Sequence, residues 1–473
     1  MSVNKLPMID FTDIRPFEGL GKILFILWLV LLGGNYALYL VALPIRIAHH
    51  LIITFVLVYW LWKYGLPKTR LNWALLASNG IVFISALTAI DQRMALENAW
   101  FWLTNTLLFL LFVDWVQRGH TEKMMRAHFI AGALLVIGGL VEYAVHPGER
   151  IASLLLIIST TGAYAAPLVV LLAGWLLKNR TNRYVKLYSL LLIGLGILVL
   201  MNNSRGAIVS LAIGMTVLAT LELNNKARWL KICFLAALVI ASVIILVTSL
   251  LPGRITGDEY RADLWRAAAY MTNDYPLHGV GPGLFGLSYN TVYTDRAEQY
   301  AQGAHNFLLN TAAELGVPGF VAAILIGFLF LQQLPKQRTT LQNAALAALM
   351  GIAVHSLTDN FSDTSFVSLA LLLAAMLTET QPRGVVIERW RSQGRLALVG
   401  GLLICAGLLL RSDFAQNYYD LSIMYGSLPA AQIAAQMDAG MHLYDLQVER
   451  LAVGAPPLLS TDFAMVGYAR YWR

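Results

Sequence analysis

Apolar stretches of roughly 17–25 residues recur along the chain, each long enough to cross about 30 Å of hydrocarbon as an α-helix. Helices are the spanning form such runs allow, because every backbone polar group is then satisfied within its own segment. Apolar residues make up 58% of the sequence and charged residues 13%, against about a quarter charged in soluble domains. These features exclude a soluble globule and predict an all-α polytopic membrane protein with about 12–13 transmembrane helices. The net charge of +7 sits in short loops, where it orients a membrane protein, so no nucleic-acid partner is expected.

Spans are expected near 22–43, 48–62, 72–90, 97–115, 127–145, 155–177, 187–203, 207–222, 231–251, 317–333, 342–358, 365–379 and 395–411. The sixth is long enough to begin as a tilted or interfacial piece. Residues 1–20 are polar and mixed and precede a full-length span, so no cleavable leader is expected. Cys233 and Cys405 both fall in apolar spans and read as inert packing residues. Trp60, Trp62, Trp100, Trp102, Trp115 and Trp175 near span ends read as interfacial anchors.

Loop charge fixes an orientation. Alternate connections carry Lys63, Lys68 and Arg70; Arg118, Lys123 and Arg126; Lys178, Arg180, Arg183 and Lys186; Lys226, Arg228 and Lys231; Lys336 and Arg338; and Arg383, Arg389, Arg391 and Arg395. Lys5, Arg15 and Lys22 of the N-terminal segment join them. The opposite short connections carry only Arg46, Arg93, Arg150 and Arg205. The basic side is cytoplasmic by the positive-inside rule, so the N-terminus lies inside. Four regions follow: N-terminal membrane helices over 1–250, an outward-facing polar loop with short helices over 251–319, C-terminal membrane helices over 320–411, and an outward tail over 412–473. The tail holds one helical-looking stretch at 428–451, too short for a core of its own and suited to pack on the outer loop or to bind a partner.

Candidate chemistry gathers on the outer side. Arg205, within Asn202-Asn203-Ser204-Arg205-Gly206-Ala207, follows a span with no polar side chain from Leu190 to Met201. It is either a snorkelling interfacial arginine or a phosphate ligand, since guanidinium offers a planar, permanently charged fork. Arg261 and Arg266 flank Trp265 on an expected amphipathic helix over 258–272, and their spacing puts them on different faces. Gly281-Pro282-Gly283-Leu284-Phe285-Gly286 matches GxGxxG literally, but no βαβ unit surrounds it, so tight turns are the reading. His305 is the candidate general base, at the start of an amphipathic helix through Asn306, Leu309, Asn310, Ala313 and Glu314. Nearby positive charge would hold its ring neutral, the form a base requires. Asp359 either orients a catalytic group, pairs with an outer arginine, or caps a helix, with the cap preferred.

At these residues the chain resembles the O-antigen ligase/polymerase superfamily of bacterial envelope glycosyltransferases. The carrying motifs are Ser204-Arg205-Gly206-Ala207, Arg261-Ala262-Asp263-Leu264-Trp265, Pro276-Leu277-His278-Gly279-Val280-Gly281-Pro282-Gly283, Ala304-His305-Asn306-Phe307-Leu308 and Glu314-Leu315-Gly316-Val317-Pro318-Gly319. The resemblance implies a GT-C-like architecture in the inner membrane with a periplasmic active site. It implies an inverting transfer of a glycan from undecaprenyl pyrophosphate to an acceptor hydroxyl, with no metal and no cofactor. Arg205 and Arg261 would bind the donor pyrophosphate and His305 would be catalytic, with Arg266, Asn306, Glu314 and Asp359 as candidate supporting residues. Ligation onto lipid A-core is the first reading. Polymerisation onto another lipid-linked repeat, protein O-glycosylation and lipid-linked glycan transport follow in that order. The outer tail is more at home in polymerases and protein-glycosylating relatives than in a typical ligase.

Overall fold

The computed structural model describes residues 43–155, 158–222, 256–293, 301, 303–359, 364–379, 388–439 and 442–454. They form α1 (Leu43–Tyr64), α2 (Asn72–Leu87), α3 (Gln92–Gln117), α4 (Thr121–Val145), α5 (Ile158–Lys178), α6 (Val185–Asn202) and α7 (Arg205–Glu222). Next come α8 (Thr256–Asp274), the short α9 (Phe285–Ser288) running into a π-turn at Tyr289–Tyr293, α10 (Phe307–Gln332), α11 (Thr340–His355) and α12 (Thr364–Met376). The last three are α13 (Glu388–Tyr425), α14 (Leu428–Met437) and α15 (His442–Ala452). Among the described residues there is no strand. Seven helices are long and apolar enough to cross a membrane, and four shorter apolar helices accompany them. Together these coincide with every expected span inside the described residues. The spans expected at 22–43 and 231–251 lie outside them, save Leu43, as does Cys233. The sixth span does begin irregularly, with a 3-10 turn at Ser153–Leu155 before α5.

Two apolar cores stack along the bundle. One fills its middle around Trp60, Phe112, Phe129, Leu168, Leu171 and Leu372. The second lies at the end where α2, α6 and α11 finish, and is built largely of small side chains: Ala86, Ala95, Ala268, Ala304 and Ala313 around Phe285 and Tyr419. It fastens the described parts of 256–304 and of the tail to the adjoining ends of α2 and α3. At the opposite, basic end, Asp114 accepts from Trp60 Nε1 at 3.0 Å and pairs with Arg118 at 2.8 Å.

Close approach of α7 and α11 sets the geometry of the site. A Cβ on Gly351 would fall 2.5 Å from Ser210 O, one on Gly214 3.3 Å from Ala347 O, and one on Gly206 2.3 Å from the His355 ring. Gly206, Ser210 and Gly214 step by four residues up one helix while His355, Gly351 and Ala347 step by four down the other, a small-residue seam of the kind membrane helices use. The far end is closed by Glu222, which accepts from Thr340 Oγ1 at 3.0 Å and Asn343 Nδ2 at 2.6 Å.

The tail departs from expectation twice. The span expected at 395–411 continues without a break to Tyr425, giving a 38-residue helix of about 57 Å. No glycine or proline interrupts it between Gly407 and Gly426, where a left-handed glycine (φ 60°) ends it. The single helix expected over 428–451 is instead two, parted after Met437. Asp438 leaves helical geometry there, and its carboxylate takes Arg93 Nε and Nη2, each at 2.8 Å. Arg93, one of the basic exceptions on that side, thus latches the tail to the start of α3.

Candidate functional site

The glycine-rich run is a clamp. In α10, Gly316 has φ 68° and Pro318 has no N–H, so the helix cannot satisfy the carbonyls of Ala313 and Glu314 by itself. Val280 N and Gly281 N satisfy them instead, each at 3.0 Å, while Val317 N donates to Pro276 O at 2.8 Å. Such contact requires bare backbone: a Cβ on Gly279 (φ 68°) would lie 2.2 Å from the carbonyl carbon of Glu314. Glu314 is buried, and its Oε1 accepts from Phe285 N at 3.4 Å, so it braces this clamp. Gly279→Ala should therefore loosen the segment 256–293 around the clamp. Limited proteolysis should cut that segment markedly faster than in wild type, whereas Gly400→Ala, at an uncrowded helical position, should change nothing.

His305 is held from both sides. Trp265 Nε1 donates to Ala304 O at 3.0 Å, and Ala304 N donates to Asn310 Oδ1 at 3.0 Å. Asn306 caps α10 by accepting from Leu309 N at 3.0 Å and donates through Nδ2 to Leu357 O at 3.0 Å. Phe307 N donates to Ser356 O at 2.8 Å. Between these ties His305 takes a left-handed backbone (φ 47°), uncommon outside glycine. Its Nδ1 lies 2.7 Å from Asp359 Oδ1, with the imidazole side chain 37% exposed and the carboxylate 11%. A carboxylate oxygen accepts, so the hydrogen of this bond is the one on Nδ1.

A carboxylate, Asp359, stands against the His305 ring, where the sequence reading had named only positive charge. Asp359 lies beyond Ser356, the C-cap of α11, with its N–H on His355 O at 3.0 Å and its Oδ1 on His305 Nδ1; the residues that follow it, whose helix it was expected to cap, lie outside the described ones.

Arg205 opens α7 directly after a left-handed turn at Asn203 (φ 52°). Ser204 Oγ accepts from Ala207 N at 3.4 Å, and Asn202 Nδ2 donates to Ile151 O at 2.6 Å. Arg150 donates to Asn202 O at 3.2 Å and Asn203 O at 3.3 Å, so a second basic exception braces this turn. The α7–α11 seam brings Gly206, next to Arg205, onto the His355 ring. His355 is 3% exposed and lies within electrostatic reach of both Asp359 and Arg261. Gly206, Asp359 and Arg261 thus meet at one histidine, with Arg205 adjoining in sequence to Gly206 and His305 joined through Asp359. Arg266 is on another face, paired with Asp263 and 68% exposed.

His355 had no part in the sequence reading. Its signal was the four-residue small pattern on α7 and α11, which ends on a titratable side chain. Along the rim, Tyr293 Oη donates to Asp274 at 2.7 Å; burial first, and that bond second, raise its pKa and keep it a phenol. Among the described residues no group of three or more His, Cys, Asp or Glu is arranged to hold a metal.

A family model described as O-antigen ligase matches residues 190–324, which include Arg205, Arg261, His305 and the glycine clamp but end before His355 and Asp359. No curated protein matches the chain.

Proposed function

We propose that this chain, a member of the O-antigen ligase/polymerase superfamily, moves a glycan from undecaprenyl pyrophosphate to an acceptor hydroxyl at the periplasmic face of the inner membrane. The acceptor is lipid A-core, which makes the protein an O-antigen ligase. One observation carries the reading: the His305–Asp359 pair, 2.7 Å apart, stands at the same end as Arg205 and Arg261. That is the end opposite the basic loops.

The chemistry follows from the groups. Arg205 and Arg261 hold the pyrophosphate and take up the negative charge that grows as its oxygen parts from the anomeric carbon. Arg205 also stands at a helix N-terminus, where backbone donors favour an anion. His305 Nε2 takes the acceptor hydroxyl proton, and Asp359 stabilises the resulting imidazolium. The acceptor oxygen forms its bond on the face opposite the leaving group, inverting the anomeric centre. Undecaprenyl pyrophosphate departs with the bonding electrons, and a pyrophosphate needs no general acid. The step as written uses no metal or nucleotide.

Polymerisation is the second reading, favoured by the tail. Two helices latched by Arg93 and Asp438 to the site end give an acceptor-side surface that a simple ligase would not require. Lipopolysaccharide from a deletion strain, profiled on a gel, separates these. Core bearing no repeat supports the ligase, core bearing a single repeat the polymerase, and an unchanged profile with an unglycosylated protein overturns both.

A further inference from the structure

His355 is the buried titratable side chain around which the other groups stand, and the proposed chemistry gives it no task. It is the last residue of α11, and its ring rests on the backbone of Gly206. Down the rest of the seam the paired residues are small: Gly351 against Ser210, and Ala347 against Gly214. Only at the site end does an imidazole replace the small residue. Spaced by glycine and alanine, the two backbones approach closely; a ring at the last rung holds their ends apart. One helix end carries Arg205. The other continues through the turn that ends at Asp359, whose N–H is on His355 O.

We propose that His355 is a positioning residue: its ring is a wedge that sets where Arg205 stands relative to the His305–Asp359 pair, and thereby how the donor pyrophosphate is gripped. This rests on the reading that Arg205 binds that pyrophosphate. The wedge works by size against Gly206, so the two positions are complementary. Removing the ring lets the helix ends close. Adding a methyl at Gly206 pushes the ring away, because its nearest neighbours would be Cδ2 and Nε2 at 2.3 Å. Both changes displace Arg205, in opposite directions.

The test uses the full chain in nanodiscs and undecaprenyl pyrophosphate without sugar, so that the identity of the glycan does not matter. His355→Ala and Gly206→Ala should each weaken binding by about tenfold or more, the scale of 1.4 kcal/mol. The double variant, in which the added methyl occupies space the ring has left, should bind more tightly than either single variant. Damage unrelated to the wedge would instead lower the binding-competent fraction at unchanged Kd, and the losses would add. If wild type does not bind undecaprenyl pyrophosphate, the donor assignment itself fails. If wild type binds and His355→Ala binds equally, or the double variant shows additive loss, the wedge alone is overturned. Should His355→Ala not purify as a monodisperse protein, Gly206→Ala reads the same contact: unchanged Kd there overturns the wedge.

Discussion

His305→Ala is expected to lower the glycan transfer rate by about 10²–10⁴-fold, the usual contribution of a positioned base. The donor should still bind, because the arginines are untouched. The left-handed backbone at His305 supplies the control for strain. Asparagine accepts that conformation readily, so His305→Asn keeps the fold while lacking a base, and it should be as inactive as His305→Ala. Asp359→Asn should also lose at least tenfold in rate, since an amide can present either a donor or an acceptor to Nδ1 and no longer fixes which ring nitrogen carries the proton. Because the pair acts as a unit, adding Asp359→Asn to His305→Ala should cost little more. Initial rates with purified protein decide it. Near wild-type transfer by His305→Ala would remove the base assignment, and additive losses in the double variant would show that Asp359 acts elsewhere.

Hydrophobic period and loop charge carry far in a membrane protein because each span must satisfy itself locally. That is why α2 to α7 and α10 to α12 fall where apolar runs predict them. Residue types also marked the site end: Arg205, Arg261 and His305 were legible as groups that break the apolar pattern. What joins them was not legible, because the partners are set by packing. His305 meets Asp359 across 54 positions, and Arg93 meets Asp438 across 345. No local period records either pairing. The role of Asp359 was open for the same reason: a short acid after a helix suits a cap as well as a distant imidazole, and only the fold brings His305 to it. The long α13 was missed for another reason. Beyond Arg411 its buried face is read by α14 and α15, with Tyr444 Oη donating to Gln416 Oε1 at 3.0 Å, so the helix continues on protein contacts after its lipid-like composition ends.

Arg205→Ala should lower kcat/KM by about 10²–10³-fold, the loss typical when one donor to a developing oxyanion is removed. Arg205→Lys should recover little of it. Lysine keeps the charge but not the fork that meets two phosphate oxygens together. The same pair of changes at Arg261 should behave alike. Arg266 is the discriminating case, only five positions along the same helix. Its guanidinium is engaged by Asp263 and mostly in solvent, whereas Arg261 is half-buried and senses His355. Arg266→Ala should therefore stay within about a factor of three of wild type, as exposed surface pairs contribute less than about 1 kcal/mol. Measured with donor varied at saturating acceptor, the three arginines should sort into two sensitive positions and one tolerant one. If Arg266→Ala lost as much as Arg205→Ala while Arg261→Ala did not, α8 would present its other face to the donor. The electrostatic contact of Arg261 with His355 would then belong to the scaffold rather than to the pyrophosphate.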